Sequence, residues 1–147
     1  MERTQTTQLI LKAKRKLGLK WIDIANAIGR SESWTATALL GQATLSEEES
    51  EKVGSLLELD RDAIESLTVV PYRGTTVSMP PTDPLIYRFY EILLVYGPAI
   101  KDLIHEKFGD GIMSAIDYEM DIQRVEDPKG DRVLVTLNGK FLPYKKW

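Results

Sequence analysis

A change in the spacing of apolar residues divides this sequence into two halves. Up to about residue 70, apolar side chains recur at the three-to-four-residue spacing of helices that bury one face. From Ile116 onward they alternate with polar residues, which is the spacing of strands. Between the halves lies a segment rich in proline, glycine and threonine that cannot continue a helix. We therefore expect a helical domain over residues 1–70, a linker over residues 71–83 and a second domain over residues 84–147.

Capping residues predict where the short helices of the first half begin. Thr6 is placed to cap the first helix, and Ser31 opens a third helical segment. The stretch 46–49 has the Ser-x-x-Glu pattern of a capping box, in which the two side chains satisfy each other's free backbone amides. Asp60 precedes a short fifth helix and is placed to cap it. Together these signals predict a compact bundle of short helices.

Part of this bundle has the spacing of a helix-turn-helix. Ala25 is followed four residues later by Gly29, and Ser31 then starts the next helix, as in lambda-repressor-like bundles that place this helix in the DNA major groove. That helix, residues 32–40, contains no Lys or Arg, and residues 1–70 hold nine basic and eleven acidic residues. A DNA-binding surface must neutralise phosphates. We therefore favour a helix-turn-helix shape used for packing and keep a DNA-binding regulator as the alternative.

The helices of the second half are predicted from proline and glycine. A helix begins at Pro84, the first helical position, with residue 82 or 83 as its cap. It is expected to end near Tyr96, because the pair 97–98 is Gly-Pro and starts another helix that reaches Phe108. This first helix is apolar nearly all round, which is typical of a buried helix.

The strands of the second half follow a glycine-rich turn at residues 109–111, which can lead into a short helical segment through Ala115. Strands are predicted over residues 116–123 and 133–137, and Asn138-Gly139 is a hairpin signal that leads into a third strand. Three strands and two helices make a thin core. We therefore expect an α+β fold whose small antiparallel sheet is completed by dimerisation.

The composition excludes several kinds of site and location. The chain has no cysteine and a single histidine, His105, so disulfides, thiolate metal sites, a cysteine nucleophile and a histidine metal cluster are excluded within one chain. No apolar run approaches the roughly 20 residues of a membrane span, and the N-terminus lacks a secretory pattern. A net charge of −3 argues weakly against a nucleic-acid partner. Any catalysis therefore falls to carboxylates, hydroxyls, lysine and arginine.

Arg88 and Glu91 form the first candidate site. They lie three residues apart on the helix that begins at Pro84, so their side chains share one face. From the spacing alone, the favoured interpretation is an exposed ion pair worth about 0.3 kcal/mol. If the helix is buried as its apolar neighbours predict, however, the pair must be satisfied internally or serve a ligand. The forked donors of Arg88 would then suit a small planar anion.

Ser114 forms the second candidate site. It follows the glycine-rich turn, and a turn of this kind at a helix start presents free amides and a hydroxyl to an anion. The simpler interpretation is a capping or turn residue. No Gly-x-Ser-x-Gly motif accompanies it, and His105 is interpreted as a polar-face residue, so a Ser–His hydrolase is not supported.

Long stretches of this chain resemble the cyanase family, also called cyanate hydratase or cyanate lyase. In the second half they are PTDP (81–84), YRFYE (87–91), VYG (95–97), HEKFGDGIMSAID (105–117), DPKG (127–130) and TLNGKFLP (136–143). In the first half they are ALLGQ (38–42) and PYRG (71–74). The resemblance therefore covers nearly the whole chain.

The resemblance implies a reaction and an assembly. Cyanate and bicarbonate would be converted to carbamate and carbon dioxide, and the carbamate would lose a second carbon dioxide to leave ammonia. The catalytic trio of the family, an arginine, a glutamate and a serine, falls on Arg88, Glu91 and Ser114. The resemblance further implies a cytoplasmic homodecamer built as a pentamer of dimers, with sites at subunit interfaces and with neither metal nor organic cofactor. Besides the DNA-binding regulator, an assembly protein without activity is an alternative, although all three residues are present.

Overall fold

The computed structural model describes residues 1–147, and the chain forms two units whose first boundary, between Gly74 and Thr75, lies in the proline-rich segment. The first unit consists of Met1–Gly74 together with Asp121–Val135. The second unit consists of Thr75–Met120 together with Thr136–Trp147. No helix in either unit is both long enough and apolar enough to cross a membrane.

Five α-helices build the first unit. They are α1 (Arg3–Lys16), α2 (Trp21–Ile28), α3 (Glu32–Thr37), α4 (Glu47–Leu57) and α5 (Arg61–Thr68), with a π-helical turn at Ala38–Gln42 between α3 and α4. Gly29 ends α2 in the left-handed conformation, at a φ of 73°, which costs glycine little because it has no Cβ. Helices α2 and α3 pack against each other across this turn, so the predicted helix-turn-helix shape is confirmed.

Three of the four predicted caps are confirmed. The hydroxyl of Ser31 accepts from the Trp34 amide, the stretch 46–49 forms the reciprocal capping box, and Asp60 accepts from the Ala63 amide. The prediction for Thr6 is wrong. Helix α1 begins four residues earlier, with Glu2 as its N-cap, and the Thr6 side chain is buried, with its hydroxyl 2.6 Å from that of Ser66.

The hydrophobic core lies within the first unit. It is formed by side chains from α1, α2, α4, α5, the π-helical turn and the loop before α4, namely Ile10, Ile24, Ile28, Ala38, Leu39, Leu45, Val53, Leu57 and Leu67. Arg3 ties α1 to this core, since its guanidinium donates to the carbonyls of Ala38, Ala43 and Ser66 at 2.8, 2.8 and 2.9 Å. A helical unit with its own core is therefore present, as the sequence predicts.

One long helix, α6 (Pro84–Phe108), opens the second unit. Asp83 caps it by accepting from the amides of residues 85 and 86, which confirms the predicted start. The predicted break at residues 97–98 is wrong, because the helix continues through Pro98. The φ of proline is already helical, so the ring removes one backbone hydrogen bond without ending the helix.

Two strands follow α6 and form an antiparallel hairpin. They are β1 (Gly111–Val125) and β2 (Arg132–Pro143). The turn between them, around residues 127–130, is confirmed, and the Gly130 amide donates to the Asp127 carbonyl at 3.0 Å. The helical segment through Ala115 and the third strand are wrong. Strand β1 starts directly at Gly111, and β2 runs through Asn138-Gly139 without turning.

The apolar side chains of the second unit are largely exposed. No residue of α6 is buried, so the predicted burial of this helix is wrong for a single chain. The exposed members on α6 are Leu85, Ile86, Phe89, Ile92, Leu93, Leu94, Val95, Tyr96, Ile100, Leu103 and Phe108. The part of β1 in this unit does not bury its apolar side chains either, since Ile116 is 98% exposed and Met113 is 40% exposed. The thin core expected of this half is confirmed.

Candidate active site

Helix α6 brings Arg88 and Glu91 together. The Nε atom of Arg88 lies 3.3 Å from Oε2 of Glu91, and the side chains are 61% and 47% exposed. The spacing of three residues places both on one helix face, as the sequence predicts. In a single chain the pair is therefore the solvent-accessible ion pair that the spacing alone favours.

Sequence reasoning missed the contact that Arg88 makes on its other side. The guanidinium carbon of Arg88 lies 5.1 Å from the centre of the Tyr87 ring, which is within the range of a cation–π interaction. The Tyr87 ring in turn lies 6.0 Å from the Tyr90 ring. The stretch YRFYE contains both aromatic residues, but adjacent residues on a helix do not normally face each other, so residue spacing does not predict this contact.

Ser114 lies in β1 and is only 6% exposed. Its Oγ atom accepts hydrogen bonds from the backbone amides of Ile116 and Asp117, at 3.0 and 2.9 Å. The predicted turn-and-helix anion cradle is wrong, because no helix starts here and these two amides are occupied by the serine itself. With both acceptor positions of the hydroxyl used, its proton is the group that Ser114 can still offer to a ligand.

Two glycines allow the strands to approach closely around Ser114. A Cβ atom at Gly139, on β2, would lie against the Ser114 carbonyl oxygen and 2.6 Å from Met113 Cγ. A Cβ atom at Gly111 would lie against the Leu142 carbonyl and 2.5 Å from Phe141 Cζ. Real Cβ atoms essentially never lie this close to other atoms, so both positions require glycine for the strands to keep this separation. The backbone position of Ser114 therefore depends on these two glycines.

The side-chain interactions of the three candidate residues fall into two groups. Arg88 and Glu91 contact each other on α6, whereas the Ser114 hydroxyl is bonded to backbone amides of its own strand. No hydrogen bond or ion pair links the Ser114 side chain to either member of the α6 pair.

His105 closes the last turn of α6. Its Nδ1 lies 2.9 Å from the Gly109 carbonyl oxygen, and its Nε2 lies 2.6 Å from Nζ of Lys101. A carbonyl only accepts, so Nδ1 carries the proton and Nε2 accepts from the lysine. The imidazole is thus engaged by its own helix, in agreement with the predicted polar-face residue.

Two family profiles match the sequence and together span almost all of it. Residues 3–71 match the profile described as "Cyanate hydratase, N-terminal", and residues 78–146 match "Cyanate lyase C-terminal domain". The chain belongs to the cyanate hydratase family. The resemblance that the motifs indicated is therefore confirmed.

Individual members of the cyanate hydratase family are similar over the full chain. A cyanate hydratase of Thiobacillus denitrificans is 60% identical over 147 residues, and one of Dechloromonas aromatica is 53% identical over 147 residues; each match covers 100% of both chains. Among solved structures, the cyanase from T. urticae superposes with a TM-score of 0.84 at 36% identity, covering 94% of this chain and 96% of that one. The mixed helix-and-sheet fold is that of the family, and none of these matches supports the DNA-binding alternative.

Proposed function

We propose that this chain catalyses the bicarbonate-dependent decomposition of cyanate. Cyanate and bicarbonate react to give carbamate and carbon dioxide, and the carbamate then loses a second carbon dioxide to leave ammonia. The observation that carries this proposal is the 60% identity, over the complete length of both chains, to a protein named cyanate hydratase. Both substrates are small anions, so the site must first overcome their mutual repulsion.

Arg88 is assigned to neutralise and hold the anions. Its contact with Glu91 is made through Nε, so the two Nη nitrogens, which carry most of its donors, remain for a planar anion. A guanidinium aimed at the negative charge of two reacting anions lowers the cost of bringing them together. Alignment of the two reactants supplies up to about 7–11 kcal/mol of barrier reduction in favourable cases.

Ser114 is assigned to donate a hydrogen bond to the second anion. Its hydroxyl is polarised by the two amides that donate to it, and its own proton is left to donate to a ligand. The same two bonds make Ser114 a poor nucleophile, because they occupy the lone pairs that would attack. A role in binding fits this environment better than a covalent role.

Glu91 is assigned to orient Arg88. Its carboxylate lies 3.3 Å from Nε, and this ion pair keeps the guanidinium near the helix face that carries Glu91. The expectation that no metal or organic cofactor takes part stays a prediction.

The working particle is proposed to be a cytoplasmic homodecamer, a pentamer of dimers. Two features support an assembly: apolar side chains of α6 are exposed along its whole length, and no hydrogen bond or ion pair links Ser114 to Arg88 or Glu91 within one chain. Exposed apolar surface of this extent is typical of a subunit interface. Packing of further copies against α6 would remove the Arg88–Glu91 pair from bulk water and strengthen its electrostatic effect.

The proposal is tested by ammonia release from cyanate with and without added bicarbonate. We expect ammonia release that requires bicarbonate and is inhibited by small anions such as chloride and dicarboxylates. A Ser114→Ala variant serves as the negative control, because it removes from the site the hydroxyl that is assigned to bind the second anion. The proposal is wrong if the assembled wild-type protein releases no ammonia under these conditions.

A further inference from the structure

The guanidinium of Arg88 lies beside two groups on its own helix. Glu91 contacts Nε at 3.3 Å, and the ring of Tyr87 lies 5.1 Å from the guanidinium carbon. Tyr87 is half-buried, and its ring rests 6.0 Å from that of Tyr90 at an interplanar angle of 46°. A half-buried ring with an aromatic neighbour therefore lies beside the cation.

This arrangement restricts the orientation of Arg88 in a way that the ion pair alone does not. An arginine side chain has many rotamers, and one contact at Nε leaves the guanidinium plane free to rotate. A ring placed beside the cation attracts it electrostatically and selects the rotamers that keep the two in contact. Bidentate recognition of a planar anion depends on the direction of this plane, because its two donors must meet two oxygens at once.

We propose that Tyr87 is a positioning residue for Arg88, which holds the guanidinium plane in the orientation that binds the anionic substrate. This inference rests on the proposed function, in which Arg88 is the anion-binding group. Tyr87 acts through the face of its ring, so the aromatic ring is required and the phenolic hydroxyl is not. Tyr87 itself does not contact the reacting atoms.

The test compares variants that keep or remove the ring. We expect Tyr87→Leu to lower kcat/KM for cyanate by about 3- to 30-fold, the range for loss of one cation–π contact. Binding of malonate, a small dicarboxylate that serves as the anionic probe, should weaken in parallel. Tyr87→Phe keeps the ring and is expected to stay within about 2-fold of the wild type.

Tyr96→Leu is the matched control. It removes a ring from the same helix, and this ring has no cation–π contact with Arg88. Light scattering checks assembly, and Tyr87→Met replaces Tyr87→Leu if the latter fails to assemble.

A double-mutant cycle separates positioning from a general structural effect. In an Arg88→Lys background, where no planar fork remains to be oriented, we expect Tyr87→Leu to cost less than about 2-fold in malonate affinity. Equal costs in the two backgrounds, or wild-type kcat/KM for Tyr87→Leu, would overturn the inference. If the wild type binds malonate but releases no ammonia, the proposed function fails, while the same malonate titrations still decide the role of Tyr87. Absence of malonate binding by the wild type overturns both.

Discussion

At the scale of single residues, Arg88 carries the largest part of the proposed chemistry. Its substitution Arg88→Lys keeps the positive charge but removes the planar fork of donors. We expect this variant to lose at least about 100-fold in turnover, as for removal of one preorganised donor at a developing charge. The measurement is steady-state ammonia release by protein whose oligomeric size matches the wild type. Near-native turnover in such a sample would contradict the assigned role.

Glu49, in the first unit, links stability to pH. Burial alone raises the pKa of Glu49, but hydrogen bonds from the Ser46 amide and the Arg30 guanidinium, together with the Arg30 charge, outweigh burial and lower it. A carboxylate with a lowered pKa stabilises the fold above its unfolded-state pKa of about 4.3, and this stabilisation is lost as pH falls through the folded value. We expect the melting temperature to fall between about pH 5 and pH 3, and Glu49→Gln to flatten this dependence.

The control for this pH dependence is Glu47→Gln, which changes an exposed glutamate in the same helical turn. It should leave the slope of melting temperature against pH close to that of the wild type. Identical slopes for the wild type and Glu49→Gln would show that Glu49 does not carry the effect.

At the scale of elements, the close approach of β1 and β2 determines where Ser114 lies. A methyl group at Gly139 would collide with the Ser114 carbonyl and with Met113 Cγ at 2.6 Å. We expect Gly139→Ala to displace β1, to destabilise the hairpin by about 1–3 kcal/mol and to reduce activity. Gly97→Ala is the control, since a Cβ there meets nothing within 4 Å and alanine favours a helix. Thermal unfolding and ammonia release are measured on both, and unchanged activity in Gly139→Ala would contradict this role of the glycine.

The elements that the sequence predicted correctly are those fixed by local interactions. Ser31, Asp60 and the capping box at residues 46–49 satisfy backbone amides within one turn of helix, so neighbouring residues suffice to recognise them. The turn predicted at Asn138-Gly139 is wrong because Gly139 has another role. It lies within β2, where the pairing with β1 leaves no room for a Cβ. Here glycine serves close strand packing, and a tight turn has the same local sequence. The prediction for Thr6 is wrong for a similar reason, since its hydroxyl is hydrogen-bonded to Ser66, sixty residues away, and a local pattern does not encode this contact.

The candidate site could be predicted only in part from local sequence. The Arg88–Glu91 contact follows from a spacing of three on a helix, and the structure contains it. The occupied amides beside Ser114 and the ring of Tyr87 beside Arg88 depend on strand geometry and side-chain rotamers, which no spacing rule encodes. The domain boundaries at residues 70 and 83 stay a prediction.

At the scale of the whole molecule, we propose that the site is shared between chains. No hydrogen bond or ion pair links Ser114 to Arg88 or Glu91 within a chain, and the apolar residues of α6 are exposed. We therefore expect inactive Arg88 and inactive Ser114 variants to restore part of the activity when they are dissociated, mixed and reassembled. Some mixed interfaces then contain one intact copy of each residue. Absence of any restored activity in oligomers verified to contain both variants would argue against shared sites.

The central claim is that cyanate and bicarbonate react together at this site. The most direct measurement is the initial rate of ammonia release from cyanate as the bicarbonate concentration is raised from near zero. We predict a rate that is negligible without bicarbonate, rises with its concentration and then saturates, with one ammonia formed for each cyanate consumed. A rate that is independent of bicarbonate, or no ammonia at any bicarbonate concentration, would contradict the claim.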